Sequence, residues 1–391
     1  MTTIVIDGIF FQINEWSGIS KFWMTLLAEL DLILEDEQGV RIFLLVRGES
    51  NNIRNTPFRH IHILPFSYFD PVCALSDFEA LGRLCNQLEA SVFISSYYTL
   101  AYGVPNIGMS YDFIPEALGF MANYGWKVKE IYMRSLKHCL SISEASAHAA
   151  SLYYPNLECS PKDIFYPPLA PDESQAIDSG AIQAFRAKYR LRYPYAAVVG
   201  HRDGYKNVGL LADALLKRPV GSKKIALGIV ASSGEPLSPA DLELYSQHFQ
   251  FGLVRIKLSS TEMPVFFRAA ELLFYPSLLE GFGYPVAEAL LQCCPVITTG
   301  ATSIGEILNY ADPYDYQLIS GHDGAEALDA LIRMFHRRRR SSAETAQRIQ
   351  IAFGRQQGGR FLNRLLELAG PSTLPRTGEL EACLSLDGLL A

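Results

Sequence analysis

Short apolar runs alternate with stretches of helical periodicity along nearly the whole chain, and this alternation restricts the fold more than any other feature. In the first half the apolar runs are Thr3–Ile6, Val40–Val46, Ser91–Ile94 and Asn106–Met109. Between the first two, Gly18–Leu34 carries apolar residues at helical spacing. Such alternation is typical of parallel strands joined by crossover helices. We therefore predict an α/β fold with parallel sheets.

The alternation stops between Pro155 and Gly180, a stretch with several prolines and acidic residues, and then starts again. A chain of 391 residues is also too long for one ordinary core. We therefore predict two domains that meet near residues 168–180. The second half is expected to hold strands at Ala196–Val199, Lys224–Val230, Leu253–Ile256, Leu272–Tyr275 and Pro295–Thr298 and helices at Gly209–Lys217, Ala325–Phe335 and Thr345–Leu368. In the first half Ile131–Ala150 is expected to be helical, with a strand-like piece at Cys139–Ser143.

Charge and cysteine content exclude several classes of protein. The chain carries 34 Lys and Arg against 41 Asp and Glu, a net charge of −7, which argues against nucleic acid as a partner. The 7 cysteines form no CxxC pair, so we expect reduced thiols in a cytoplasmic protein. No signal peptide is visible, and the apolar runs are far shorter than the roughly 20 residues of a membrane span. Any membrane contact is expected to be peripheral, at the inner face.

The segment Phe274–Glu306 is the most informative part of the sequence, and it reads FYPSLLEGFGYPVAEALLQCCPVITTGATSIGE. An apolar strand is followed by a glycine-containing loop, Gly281-Phe282-Gly283-Tyr284, and Pro285 then opens a helix. Glycines let a backbone approach a ligand closely, and the free N–H groups at a helix start favour an anion. The loop is therefore predicted to bind a diphosphate.

Two carboxylates, Glu280 and Glu288, flank this loop. A carboxylate beside a diphosphate is repelled unless hydroxyl donors occupy it, and a nucleotide sugar carries such hydroxyls on both sides of its phosphates. The alternative is that Glu288 is an acid favoured by the first turn of a helix and Glu280 an ordinary loop residue.

With the residues around it, the Glu-x7-Glu pair resembles the signature of family 4 (group 1) retaining glycosyltransferases. The resemblance implies a GT-B fold, in which two Rossmann-like domains with parallel sheets face an interdomain cleft. It implies an N-terminal acceptor-side domain, residues 1–172, and a C-terminal donor-binding domain, residues 173–355. Residues 356–391 are expected to pack back on the first domain.

The segment Val198–Asn207 also resembles the family, whose strand–loop here supplies an Arg and a Lys to the donor phosphates. Lys206 has the family's spacing from Gly200. His201 stands at the position where the family usually has an Arg, and Arg202 is the next residue. We expect Lys206 and Arg202 to stabilise the departing diphosphate, with His201 either near the donor or a packing residue. A solvated turn is the alternative for all three.

The resemblance assigns looser roles in the N-terminal half. Gly18 matches the glycine loop near the donor sugar, although a simple turn with positive φ would also suit it. Tyr111 takes the place of the family's His, where we expect a hydrogen-bond donor on the acceptor side, together with Tyr97. Asp112 is retained, either as a catalytic-region contact or as a purely structural residue.

Two further stretches complete the assignments. Arg255 leads into a segment that resembles the family stretch holding the nucleotide base. The basic run Arg337–Arg340 suggests a membrane or nucleic-acid contact, but a solvated helix end is favoured. Ser143, in the family's Ser-x-Ser pattern, is expected to cap a helix.

The function that follows is a metal-independent, retaining glycosyltransferase without a cofactor. It would move a hexose-type sugar from a UDP-, GDP- or related donor to a glycan, lipid-linked or small-molecule hydroxyl, in surface polysaccharide biosynthesis. In this role Glu280 would bind sugar hydroxyls and Glu288 the ribose. A phosphorylase or epimerase is disfavoured because no pyridoxal-phosphate lysine motif is found. The alternative from another class is a non-catalytic protein that binds a sugar nucleotide or glycan.

Overall fold

The computed structural model describes residues 1–49, 51–169, 177–200, 204–232 and 237–369. The chain forms two compact units. The first runs from Met1 to Pro168 and is rejoined by the chain from Gln356, and the second runs from Leu169 to Arg355. The first domain ends at Pro168, four residues before the boundary expected at residue 172. The chain rejoins this domain at Gln356, the residue expected from the resemblance.

A parallel six-stranded sheet forms the centre of the first domain, in the order β3-β2-β1-β4-β5-β6. Its strands are β1 (Thr2–Asp7), β2 (Val40–Arg47), β3 (His62–Phe66), β4 (Val92–Ser95), β5 (Asn106–Ser110) and β6 (His138–Ser141). Its helices up to the division are α1 (Ile9–Ile13), α2 (Gly18–Ile33), α3 (Asn51–Arg54), α4 (Ala74–Gln87), α5 (Ile114–Ala117), α6 (Tyr124–Arg134) and α7 (Glu144–Tyr153).

The second domain repeats this plan, with the strand order β12-β11-β10-β7-β8-β9. Its strands are β7 (Tyr195–Val198), β8 (Gly228–Ala231), β9 (Leu253–Arg255), β10 (Leu272–Tyr275), β11 (Val296–Thr298) and β12 (Tyr316–Leu318). Its helices are α8 (Ser179–Lys188), α9 (Leu210–Lys217), α10 (Pro239–His248), α11 (Met263–Ala269), α12 (Tyr284–Leu291), α13 (Ser303–Leu308), α14 (Gly324–Arg337) and α15 (Ala343–Phe353). The predicted α/β class is confirmed in both domains.

The order of the strands decides where a ligand would bind in the second domain. Its first and fourth strands, β7 and β10, are neighbours and pair in parallel, with Leu272 opposite Ala196. The chain leaves β7 toward β8 on one side and leaves β10 toward β11 on the other. Open α/β sheets bind ligands outside the carboxyl ends of the strands at such a switch point. The loops after β7 and β10 therefore border the expected site.

The chain returns to the first domain as helix α16 (Gly358–Leu368), which packs on α2. The Phe361 ring is fully buried and lies edge-on to Trp23, with ring centroids 6.0 Å apart. Glu29 accepts hydrogen bonds of 2.7 Å from the backbone N–H groups of Gln357 and Gly358 at the start of the helix. Both apolar burial and helix capping thus hold α16 in place.

A second tie of α16 is an ion pair. Arg364 Nε donates to Asp163 Oδ1 at 2.6 Å, and the exposed fractions of the two side chains are 19% and 4%. Burial alone would raise the pKa of Asp163, but the hydrogen bonds from Arg364 and Ser160 outweigh it and hold this pKa below its ordinary value. The carboxylate is therefore stabilised in its charged form.

A buried ion network joins the ends of β1 and β2 to helix α4 in the first domain. Arg47, at the end of β2, donates to Asp7 Oδ1 from Nε at 2.7 Å and to Asp77 Oδ1 from Nη1 at 2.8 Å. Thr99 adds a hydroxyl bond of 2.6 Å to Asp7. The buried guanidinium of Arg47 is therefore paired with two carboxylates, and a buried cation requires such a partner.

Several element predictions need correction. Ile131–Ala150 is not one helix, because α6 ends at Arg134 and β6 follows, so the strand-like reading of part of it is right. Thr345–Leu368 is broken into α15 and α16, with Gly354 as the cap of α15. The outer strands β3 and β12 were not predicted. Among helices of the described residues, none combines the length and apolar character needed to span a bilayer.

Candidate functional site

The loop after β7 brings Lys206 to the switch point. Gly200 has φ +128°, and a Cβ there would lie 3.1 Å from Lys206 Cβ. Only a glycine accommodates both this backbone and the close lysine stem. The Asn207 side chain donates 2.7 Å to the carbonyl of Gly321, and the backbone of Leu278 donates 2.8 Å to the loop at Tyr205. These bonds fix the lysine loop against the segments that follow β12 and β10.

The loop after β10 is held just as firmly around Glu280. The backbone N–H of Glu280 donates to Thr302 Oγ1 at 2.9 Å. The buried hydroxyl of Ser303 donates to the carbonyls of Glu280 at 3.1 Å and of Phe282 at 2.8 Å. The Ser and Thr that hold the loop lie at the start of α13, in the last part of the segment that the sequence singled out. The carboxylate is therefore presented from a fixed backbone.

Lys206 and Glu280 meet at this point, together with Tyr275 at the end of β10. Lys206 Nζ donates to Glu280 Oε1 and to the Tyr275 hydroxyl, both at 2.7 Å. The Tyr275 hydroxyl donates to Glu280 Oε1 at 2.6 Å. The exposed fractions of the lysine and glutamate side chains are 18% and 9%. The result is a partly sheltered ion pair whose cation and anion share one buried phenol.

Tyr275 was missed by sequence analysis, which treated it as the end of an apolar strand. Burial, followed by the charge of Glu280, raises its pKa well above the ordinary value. Tyr275 is therefore a neutral hydrogen-bond donor at neutral pH. The signal that could have revealed it is its position directly before the Pro-Ser turn, where a purely apolar side chain would suffice for the core.

Helix α12 starts beside this group. Gly283, its N-cap, has φ +98°, and Pro285 lies in the first turn, as the sequence predicted. Glu288 lies on α12, half-buried, and its charge is one of those that raise the pKa of Tyr275. The two glutamates of the motif thus act on the same phenol. Their binding roles toward a ligand stay predictions.

In the glycine loop, Phe282 packs into the core, whereas Gly281 leaves space for a ligand. The Phe282 side chain is 4% exposed and lies edge-on to Tyr284 and Phe353, with centroids 5.2 and 5.3 Å away. Its predicted donor contact can therefore come only from its backbone. Gly281 is half-buried in the same loop and has no side chain to obstruct a ligand.

The remaining residues of the second domain predicted to bind the donor are Arg255, at the edge of the second sheet, and two residues that the structure does not describe. His201 and Arg202 lie outside the described residues. Arg255, the last residue of β9, is exposed and lines a cavity of about 480 Å³ with apolar residues that include Leu242 and Ile256. This is the carboxyl end of a strand, where a base could be held, but the assignment stays a prediction.

Tyr111 requires a correction. Its side chain is 2% exposed, its hydroxyl donates to the Ser96 carbonyl at 2.7 Å and it accepts from Trp23 Nε1 at 2.6 Å. The single hydroxyl proton is therefore used within the first domain. Tyr111 is a core residue and does not donate to an acceptor or sugar.

The other residues predicted in the first domain lie near strand ends. Tyr97 is half-buried, and its ring contacts that of Tyr98, with centroids 4.0 Å apart and the planes tilted by 33°. Asp112 accepts from the Ile114 N–H at 3.2 Å, and its carbonyl accepts 2.8 Å from the buried Lys129 ammonium. This favours a loop-ordering role for Asp112.

Two predictions concern residues at helix starts. The donor-loop role of Gly18 stays a prediction. Gly18 opens α2 in helical conformation, capped by Ser17, so the turn with positive φ is wrong. Ser143 caps α7 by accepting from the Ser146 N–H at 3.0 Å, as predicted. In the basic run, Arg340 donates to the Gln292 carbonyl at 3.0 Å and so has a structural role.

Comparison with known proteins agrees with this geometry. Residues 194–337 match the family model described as "Glycosyl transferases group 1". This range contains both loops and the whole Lys206–Tyr275–Glu280 group. Over these residues the chain is similar to group 1 glycosyltransferases, and its two α/β domains have the GT-B fold.

One curated relative is the O-antigen chain mannosyltransferase B of Escherichia coli, 28% identical over 142 residues. The match covers 34% of this chain and 37% of that protein, so the chain aligns with little more than a third of its curated relative.

Solved structures resemble nearly the whole chain. Anabaena Alr3699/HepE in complex with UDP-glucose is 14% identical with a TM-score of 0.64, covering 94% of this chain and 100% of that one. Sucrose-phosphate synthase from Thermosynechococcus elongatus is 15% identical with a TM-score of 0.66, covering 95% and 100%. At these identities the likeness establishes the fold.

Proposed function

We propose that this protein is a retaining glycosyltransferase that transfers a hexose-type sugar from a nucleotide-sugar donor to a hydroxyl acceptor. The observation that carries the proposal is the group at the switch point of the second sheet. There a lysine ammonium and a glutamate carboxylate are held 2.7 Å apart by loops fixed to each other. These are the two chemistries that a nucleotide sugar needs, a cation for the diphosphate and an acceptor for sugar hydroxyls.

The two side chains neutralise each other in the free protein, and the donor would separate their tasks. Lys206 would turn to the diphosphate and stabilise the charge that develops as the glycosidic bond breaks. Glu280 would then accept hydrogen bonds from the sugar. Because Glu280 would accept hydrogen bonds from the sugar and from the Tyr275 phenol, it is poorly suited to attack the anomeric carbon as a nucleophile. We therefore propose front-face displacement with retention, in which the leaving phosphate helps to deprotonate the acceptor.

We further propose that the reaction needs neither a cofactor nor a metal. Lys206 offers one positive charge to the diphosphate, and the N-terminus of α12, capped by Gly283, offers backbone N–H groups. Glu288, on the same helix, is the candidate partner for the ribose hydroxyls. Arg202, four positions before Lys206 in the sequence, is proposed as a second cation for the phosphates.

The acceptor class is proposed from the relatives. The Escherichia coli relative is named for the O-antigen chain, and one structural neighbour is a glycosyltransferase involved in lipopolysaccharide biosynthesis. We propose a glycan or lipid-linked acceptor in surface polysaccharide assembly. Free thiols, which include Cys85 and Cys139, support a reducing compartment such as the cytoplasm, with at most peripheral contact to the membrane.

One observation favours a second candidate, a non-catalytic protein that binds a sugar nucleotide. The family's His column holds Tyr111, and its hydroxyl is bound within the core. Turnover separates the two candidates. Purified protein is incubated with UDP-, GDP-, ADP- and dTDP-sugars, and release of the nucleoside diphosphate is measured beside thermal shift. An enzyme shifts with one donor and releases its diphosphate, and Lys206→Ala abolishes the release. A binder shifts with the same donor and releases nothing.

A further inference from the structure

Tyr275 is buried where the core does not need a polar atom. It is the last residue of β10, lies opposite Thr298 of β11 and is 0% exposed. Its neighbour Phe274 packs into the apolar core of the domain, and successive side chains of a strand point to opposite faces. A phenylalanine at 275 would fill the same volume. The hydroxyl is therefore the part of Tyr275 that needs an explanation.

The direction of its hydrogen bonds is fixed by chemistry. An ammonium can only donate, so the phenol oxygen accepts from Lys206 Nζ at 2.7 Å. The single phenol proton is then donated to Glu280 Oε1 at 2.6 Å. Among the described residues, every hydrogen bond to this carboxylate ends on Oε1. The other oxygen, Oε2, is left for a ligand.

The hydroxyl matters most when a donor arrives. Once the diphosphate draws Lys206 away, the carboxylate loses its cation, and a glutamate side chain then regains rotamers that must be frozen again for catalysis. The Tyr275 hydroxyl belongs to a rigid strand and cannot follow the lysine. It therefore keeps one bond to Oε1 whichever partner Lys206 has.

We propose that Tyr275 is a positioning residue of this site, which holds Oε1 of Glu280 so that Oε2 meets a hydroxyl of the donor sugar. The inference rests on the proposed function and deepens it. Recognition of the sugar would then depend on a residue that contacts neither the sugar nor the diphosphate. Removal of the hydroxyl should therefore weaken recognition of the sugar and leave recognition of the nucleoside diphosphate intact.

The chain offers a matched control. Tyr195 is also 0% exposed, but it is the first residue of the neighbouring strand β7, at the amino ends of the strands and not at their carboxyl ends. Its hydroxyl donates to the Phe266 carbonyl at 2.7 Å. Tyr195→Phe removes a buried hydroxyl and one hydrogen bond from the same domain, so it reproduces the purely structural effect of Tyr275→Phe.

The experiment compares wild type, Tyr275→Phe and Tyr195→Phe. Turnover is measured with UDP-glucose, GDP-mannose, ADP-glucose and dTDP-glucose, and calorimetry gives Kd for the four nucleoside diphosphates. With the donor that wild type uses, Tyr275→Phe should lower kcat/KM about 10- to 100-fold, the value of a hydrogen bond to a charged group. Its Kd for the matching diphosphate should stay within about threefold of wild type. Tyr195→Phe should change neither.

A double variant tests whether Tyr275 acts through Glu280. In a Glu280→Ala background, where the Tyr275 hydroxyl has no carboxylate to hold, Tyr275→Phe should lower kcat/KM by less than about threefold further, because coupled residues are not additive. Equal kcat/KM in Tyr275→Phe and Tyr195→Phe, full additivity with Glu280→Ala, or a parallel loss of diphosphate affinity would each overturn the inference alone. If wild type turns over none of the four donors, the proposed function fails and the inference fails with it.

Discussion

Replacement of Glu280 by Gln changes one charge at the centre of the site and almost nothing else. The amide is isosteric, and its oxygen can take the place of Oε1, where it would still accept from Lys206 and Tyr275 at about the observed 2.7 and 2.6 Å. What is lost is charge assistance in two hydrogen bonds, which makes such bonds roughly twice as strong as neutral ones. At about 1 kcal/mol per bond the free energy of unfolding falls by about 2 kcal/mol.

Transfer should suffer more than stability. Removal of one pre-organised hydrogen-bond donor from a sheltered catalytic site costs about 100- to 1,000-fold in kcat, and we expect a loss of the same order when this acceptor loses its charge. Affinity for the sugar-free nucleoside diphosphate should instead stay equal or rise, because Lys206 no longer leaves an ion pair in order to bind it. The measurements are diphosphate release for transfer, calorimetry for affinity and denaturant unfolding for stability.

Asp163→Asn is the control for this substitution. Asp163 forms an ion pair with Arg364 that is sheltered to a similar degree, with exposed fractions of 4% and 19%, but in the first domain. It should lose comparable stability and keep its kcat/KM. Retention of transfer within threefold of wild type by Glu280→Gln, or an equal loss of transfer in both variants, would refute the role given to Glu280.

Three further predictions concern the framework of the site. Arg47→Met leaves the carboxylates of Asp7 and Asp77 buried without a cation, so urea unfolding should show a loss of about 3–5 kcal/mol; a loss below about 1 kcal/mol would contradict the network. Phe361→Ala empties the contact between α16 and α2 and should cost about 3–5 kcal/mol in the same assay, and an unchanged midpoint would mean that the helix does not dock there. The pKa of Asp163 is depressed in the folded state, so its stabilisation is fully present above pH about 4 and is lost as pH falls through the folded pKa. The difference in unfolding free energy between wild type and Asp163→Asn should therefore shrink as pH falls below about 4, and a difference that stays constant or grows with falling pH would refute the assignment.

The sequence predicted the parts of the site that depend on backbone pattern. Lys206 and Glu280 are 74 positions apart, but each follows an apolar strand directly, and the parallel order of the sheet makes those strands neighbours. Glycines mark where the backbone must turn or come close, as at Gly200 and Gly283. Such features are local, so a single sequence reveals them.

Features set by tertiary packing escaped it. Tyr111 was given a polar role because of its column in the family, but Trp23 and the Ser96 carbonyl bind its hydroxyl in the core. Tyr275 shows the reverse error. It was treated as part of an apolar strand, but its hydroxyl forms hydrogen bonds with both Lys206 and Glu280. For each tyrosine the ring fits a core, and only the partners of the oxygen distinguish the two roles.

Element boundaries were weakest where the hydrophobic pattern was weak or ambiguous. The outer strand β3 has exposed and half-buried residues along most of its length, so it lacks the apolar run that marks a buried strand. Between α6 and α7, the strand β6 is only four residues long and its apolar residues fit a helix as well. A run so short satisfies both periodicities.

The central claim is that Lys206 recognises the diphosphate and Glu280 the sugar, and one calorimetric comparison tests it most directly. Wild type, Lys206→Ala and Glu280→Gln are each titrated with the nucleotide sugar that wild type turns over and with its nucleoside diphosphate. We predict that Lys206→Ala weakens both ligands alike, whereas Glu280→Gln weakens only the nucleotide sugar. Equal weakening of both ligands by Glu280→Gln, or unchanged diphosphate affinity in Lys206→Ala, would contradict the account.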